Sequence, residues 1–155
     1  MHLVKRMDQK DRKILRILQK DAGLSMNELA DRSAMSKTAV WRRVKSLEDS
    51  GVIRKRVTLL DSEALGFSLT IFALVRTNQH SDLWFTKFKQ AVLSIPEIQE
   101  FHRTSGDLDY LLRIVARDMR HYDEIYKQLI REVDFADVSS TFVMETIKSE
   151  TELPI

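Results

Sequence analysis

Apolar positions along this chain change their period near residue 52 and again near residue 67. In DQKDRKILRILQKD, residues 8–21, Ile14, Leu15, Ile17 and Leu18 recur at the spacing of one helix face, and Asp8 is placed to cap the first turn. After Ala22-Gly23-Leu24, Ser25 opens MNELADRS with Glu28 completing a capping box, which predicts a second short helix through Ser33. Ser36 then caps KTAVWRRVKSLEDS, and Gly51 stands where a left-handed residue ends a helix. Three helices joined by tight turns are therefore predicted.

From Val52 the pattern becomes alternating. VIRKRVTLL predicts a strand with Arg54 and Arg56 on one side, and Asp61 to Gly66 reads as a connector. SLTIFALVRT then predicts a strand, and SDLWFTKFKQAVLSI a helix with Trp84, Phe88 and Val92 on one face, closed by Pro96. EIQEFHRT and DYLLRIVA predict two strands around Ser105-Gly106-Asp107-Leu108. Residues 119–132 form a helix with Tyr122, Ile125, Tyr126 and Leu129 on its apolar side, and DVSSTFVMETIK is the last strand. The order is βαββαβ, expected to give an antiparallel sheet with both helices on one face. The fold class is α+β: a winged helix-turn-helix unit over 1–60 and a ferredoxin-like unit over 61–155. The second sheet face needs a partner.

Charge divides the chain at the same place. The net charge is only +2, but residues 1–60 hold 15 Lys and Arg against 7 Asp and Glu, and the remainder holds 10 against 16. A basic module for a polyanion and an acidic module for another purpose follow. The absence of cysteine removes any disulfide framework or thiolate zinc site and suits a reducing compartment. The opening MHLVKRMDQKDRK is too charged for a signal peptide, and no stretch approaches the roughly 18 apolar residues of a membrane span, so a cytoplasmic protein is expected.

A third helix after a short turn is the element a helix-turn-helix protein lays in the major groove. At 100° per residue, Val44 and Leu47 fall beside Val40 and face the core, while Thr38, Arg42 and Lys45 point the other way and Trp41 lies at the border. Arg42 suits a guanine edge or a phosphate, Lys45 a phosphate, and Thr38 a phosphate or a thymine methyl. Ser25, Ser36 and Lys37 stand at helix starts, where backbone N–H groups suit phosphates. Arg43 lies nearer the core edge, equally suited to a phosphate or to a structural pair with Glu48 or another carboxylate. Arg54 and Arg56 would touch flanking backbone as a wing.

Catalysis finds no support. Asp107 and Asp109 are paired carboxylates without a nucleophile or perturbing partner, the four histidines are scattered without metal-ligand spacing, and no phosphate-binding glycine motif exists. No cofactor is expected. An RNA-binding module shares the βαββαβ order, but its third strand stacks bases on aromatics, and here DYLLRIVA offers only Tyr110 in the acidic half.

The run Ser36-x-Thr38-x-Val40-x-x-Arg43-Val44-x-x-Leu47-Glu48-x-x-Gly51-Val52-Ile53, preceded by Asp11-x-x-Ile14-Leu15 and followed by Gly106-Asp107-x-Asp109-Tyr110, resembles the Lrp/AsnC (feast/famine) transcriptional regulators. The resemblance spans almost the whole chain. It implies double-stranded DNA as partner of the N-terminal unit, and a C-terminal unit (RAM-type) that makes homodimers, tetramers or octamers and binds an amino-acid effector. On that basis Thr104, Ser105, Gly106, Asp107, Asp109 and Tyr110 would hold the effector's carboxylate and ammonium. Ser140, Thr141 and Val143 would add to it from the facing strand, of the same or a neighbouring subunit, or equally be ordinary pairing positions, and Met119 would bound its side chain. An effector-independent architectural DNA-binding protein is the alternative.

Overall fold

The structure, a computed structural model, describes residues 7–155; residues 1–6, part of the opening read as unlike a signal peptide, lie outside these. The chain divides into two units, one reaching Leu59 and including Lys148–Ile155, the other spanning Leu60–Ile147. The closing segment therefore packs with the helices, not with the sheet unit to which its place in the sequence assigns it.

The first unit holds α1 (Gln9–Lys20), α2 (Met26–Ser33) and α3 (Lys37–Asp49). Each begins at a side chain that accepts from an orphan N–H of the first turn. Asp8 accepts from the Asp11 N–H at 2.8 Å while the Asp11 carboxylate accepts from the Asp8 N–H at 3.3 Å, a capping box made of two aspartates. Ser25 and Glu28 form the predicted box, and Ser36 accepts from the Ala39 N–H at 3.3 Å. Between α2 and α3 the chain reverses through Ala34, which takes the left-handed φ of 57° usually left to glycine. Ile14, Leu18, Leu29, Ala30, Val40 and Val44 close the core of this unit.

The predicted strand VIRKRVTLL is not formed. Residues 54–60 carry no strand, because a strand exists only where a neighbour accepts and donates its ladder hydrogen bonds, and none among the described residues does so here. The closing segment instead finds its partner on α1. The Gln19 side-chain amide donates to the Leu153 carbonyl at 3.1 Å and accepts from the Leu153 N–H at 2.7 Å, standing in for the peptide of a neighbouring strand, and Arg16 Nε donates to the Ile155 carbonyl.

The second unit runs β1 (Leu69–Arg76), α4 (Asp82–Leu93), β2 (Ile98–Arg103), β3 (Tyr110–Ala116), α5 (Met119–Glu132) and β4 (Asp137–Phe142). Its four strands pair antiparallel in the order β2-β3-β1-β4. Ile71, Ala73, Val75, Tyr110, Leu112, Ile114 and Ala116 alternate onto the helix side, where they bury against Trp84, Phe88, Val92, Tyr122, Ile125 and Leu129. The indole N–H of Trp84 is satisfied by the Asp134 carbonyl at 2.8 Å. β4 stops earlier than DVSSTFVMETIK predicts. Val143 still donates to the Thr70 carbonyl at 2.9 Å, but β1 begins at Leu69, so later residues have nothing to pair with.

The other sheet face is covered by neither helix of this unit. Registered rows run Glu100, Arg113, Phe72, Thr141 and His102, Leu111, Leu74, Ser139 across the four strands. Glu100 joins His102 at 3.0 Å and Arg113 at 2.6 Å, and both hold its carboxyl below the usual carboxylate range. Phe72, Leu74, Leu111 and Val115 form the apolar centre of this face.

Candidate nucleic-acid interface

Helix α3 is oriented by what it buries. Val40, Val44 and Leu47 are almost wholly enclosed, which turns Lys37, Thr38, Trp41, Arg42 and Lys45 out to solvent as 3.6-residue periodicity requires. Ser36, Lys37 and Thr38 stand exposed at the helix start, where the first N–H groups and the positive end of the helix dipole favour an anion. The Lys45 ammonium lies 5.4 Å from the centre of the Trp41 ring, a cation–π contact on the exposed face. Beside them a shallow cleft of about 340 Å³ is lined by Met26, Trp41, Val44, Lys45, Glu48, Asp49 and Arg56.

Three of the sequence-predicted contacts are otherwise engaged. Arg43 is only partly exposed, and its Nη1 donates to Asp11 at 2.7 Å and to Asp8 at 2.8 Å, so it ties the start of α1 to the middle of α3. The Asp11 side chain is only 8 % exposed, so its end of this pairing is shielded from water, while Arg43 and Asp8 keep contact with solvent. Spacing places Arg43 at the core edge, but nothing in the sequence connects it with aspartates more than thirty positions earlier. Arg56 folds back onto Glu48 at 3.1 Å instead of extending along a wing strand. The backbone N–H of Ser25 is taken by Glu28, so this residue offers that donor to its own cap and not to a phosphate. Arg54 remains exposed in a segment without a strand.

The Asp8 and Glu28 carboxylates make stability depend on acid. The Asp8 carboxyl lies below its ordinary 3.8, chiefly through the Asp11 N–H and also through Arg43; that of Glu28 is lowered by Ser25. A carboxylate lowered on folding stabilises above its unfolded value and loses that contribution as pH falls through the folded one. Thermal denaturation of the first unit is therefore expected to shift to lower temperature as pH drops below about 4, with Asp8→Asn flattening part of that dependence.

The candidate effector residues of the second unit separate into those that build the loop and those it displays. Asp109 donates through its N–H to the Val75 carbonyl at 3.0 Å, and its carboxylate accepts from the Thr77 N–H at 2.8 Å. Thr104 closes the same turn, its N–H on the Asp109 carbonyl at 2.9 Å and its hydroxyl on the Leu108 carbonyl at 2.5 Å. Tyr110 is buried on the helix side, 5.2 Å from Phe88 and 5.5 Å from Phe101 between ring centres. Gly106, at φ 121°, allows the turn that leaves Ser105 and Asp107 exposed; Arg76 donates to the Asp107 carbonyl at 2.9 Å.

On β4, alternation splits the predicted trio. Ser140 points to the helices and hydrogen-bonds the Tyr122 hydroxyl, whose pKa burial pushes up, whereas Thr141 faces the open side beside Phe72. Val143 is half-buried just beyond the strand. Met119 is exposed at the start of α5, beyond the Ala116 end of β3, while the loop lies at the Tyr110 end. About 20 Å of strand separates those two ends, so one chain does not bring Met119 and the loop into a single pocket.

A helix-turn-helix with an exposed basic α3 has the build of a DNA-binding unit, and it is joined to a βαββαβ unit whose own helices leave one sheet face open. Residues 7–54 match the family model for winged helix-turn-helix DNA-binding domains, and residues 70–153 that for the Lrp/AsnC ligand binding domain. The chain belongs to the Lrp/AsnC family. It is 44% identical over 150 residues to the DNA-binding transcriptional activator DecR of Escherichia coli K12, covering 96% of this chain and 99% of that one. Among solved structures it is similar to an AsnC family transcriptional regulator from Agrobacterium tumefaciens, with 49% identity and a TM-score of 0.91 over 96% and 97% of the two chains. A transcriptional regulator from Neisseria meningitidis in complex with L-Met has 33% identity and a TM-score of 0.90, with 96% of each chain covered. These relatives are transcriptional regulators, and the chain is a DNA-binding transcriptional regulator of the same type. Among the described residues, no helix is long and apolar enough to cross a membrane.

Proposed function

We propose that this regulator's DNA binding or assembly is biased by a free amino acid held by the second unit, between copies of the chain. The observation that carries the reading is the division of labour in the loop 104–110. Thr104 and Asp109 spend their polar groups on fixing the turn, which leaves Ser105, Gly106 and Asp107 displayed at the end of β3. Backbone N–H groups and a hydroxyl there suit an α-carboxylate, and the Asp107 carboxylate suits an α-ammonium. Asp109, which the sequence offers equally for that contact, acts instead by positioning the loop.

The separation of Met119 from the loop favours a ligand bounded by more than one copy. Assembly through the uncovered face around Phe72, Leu74, Leu111 and Val115 gives a homodimer, from which tetramers or octamers are built. A ligand shifts such an equilibrium only by binding one arrangement better than another, and a site shared between copies meets that condition. The Neisseria meningitidis relative, solved with L-Met, supports an amino acid as the class.

A thermal-shift screen of the purified protein against the free amino acids tests this. At least one is expected to raise the melting temperature by several degrees at saturating concentration, and Asp107→Asn to remove the shift without changing DNA affinity in the unliganded state. If no amino acid shifts the protein, it is an effector-independent architectural DNA-binding protein.

A further inference from the structure

Trp41 is 54 % exposed on a face otherwise made of hydrogen-bond donors, and DNA-binding in general does not account for it. A phosphate-binding surface needs cations and N–H groups; a large ring contributes one N–H and a broad apolar surface. Nor is the ring required by the core, which Val40, Val44 and Leu47 fill from the same helix. Thr38, Trp41 and Lys45 lie at i, i+3 and i+7 and so form one strip along α3, with Trp41 in its middle and Arg42 on the adjoining strip. Whatever meets Thr38, Arg42 and Lys45 therefore meets the indole as well.

That surface is DNA, and the floor of its major groove offers a single kind of apolar group, the C5-methyl of thymine. We propose that Trp41 is a specificity-determining residue of this regulator, packing its indole against a thymine methyl within a base pair or two of the position read by Arg42. The Lys45 ammonium, 5.4 Å from the ring centre, braces the ring from one side and brings a positive charge beside it. Glu48 and Asp49, farther along α3, repel phosphates and leave its first two turns, which include Trp41, as the part that enters the groove. The inference rests on the DNA-binding class alone and is independent of the effector.

The test uses the full-length protein and a DNA site enriched by it from a random-sequence pool, with each thymine replaced in turn by uracil. That replacement removes one methyl and no hydrogen-bonding group. Wild-type protein is expected to lose about fourfold in affinity at one thymine per half-site, and about fifteenfold when both half-sites are changed, as burial of one methyl predicts. Trp41→Ala, with an unchanged melting temperature because the side chain is exposed, is expected to bind the thymine and uracil forms equally. If no uracil replacement weakens the wild type, or if Trp41→Ala keeps the same sensitivity, the assignment is overturned.

Discussion

Replacing Arg42 with alanine is expected to erase the preference for a selected DNA site over unrelated sequence while leaving the melting temperature unchanged. Arg42 lies opposite Val40 on α3, exposed, and belongs to no ion pair among the described residues, so folding does not depend on it. A guanidinium reaching a guanine edge through two hydrogen bonds is worth about 1–3 kcal/mol of discrimination at each position. In the proposed dimer the residue meets two half-sites, which doubles the loss. Fluorescence anisotropy across a salt series separates the two roles open to it. A base-reading Arg42 leaves the log–log salt slope intact when removed, whereas a phosphate contact lowers it by about one unit per site. For the wild type a slope of several units is expected, and a flat response is incompatible with binding driven by phosphates.

The next residue along behaves in the opposite way. Arg43→Ala is expected to destabilise the first unit by about 1–3 kcal/mol, the cost of leaving a buried charged group without its partner, and to reduce DNA binding through loss of folded protein. The buried partner is Asp11, whose carboxylate receives the guanidinium at 2.7 Å. Chemical denaturation followed by circular dichroism reads this directly. The double variant Asp11→Ala with Arg43→Met is expected to recover part of the loss, because removing both members of the pair leaves no buried charge unpartnered, although the Asp8 N–H then loses its acceptor. A phosphate-binding Arg43 would show the reverse: unchanged stability, weaker binding, and no recovery in the double variant.

These adjacent arginines mark where the sequence is sufficient and where it is not. Helical periodicity fixes the rotation of α3, so Thr38, Arg42 and Lys45 are legible as an outward face without coordinates. Caps are equally legible, since Ser25, Ser36 and Asp8 act on residues three positions away. Arg43 is legible only as a residue at a boundary, because its partners lie 32 and 35 positions away and no local pattern links them. The same limit governs the wing. The alternation in VIRKRVTLL reports a capacity to pair, and pairing depends on a neighbour the local sequence does not specify. Ser140 is a third case: strand alternation alone puts it and Thr141 on opposite faces of β4, and the structure bears this out. Asp109 looks like a ligand group by type, and nothing local in the sequence connects its carboxylate with the Thr77 N–H that donates to it.

The clasp between Gln19 and Leu153 also has a bearing on how the protein is made. Its two hydrogen bonds span 134 positions, so the first unit, although its three helices come off the ribosome early, is not complete until residue 153 has been synthesised. The helices have their own core and local caps, and contacts of short range form fast, whereas the clasp has to wait for the whole sheet unit to be translated. For as long as synthesis continues, the nascent chain carries a helical unit whose α1 still displays Arg16 and Gln19 without their final partners. The clasp thus closes on α1 only after the sheet unit that separates its two halves in sequence has been made.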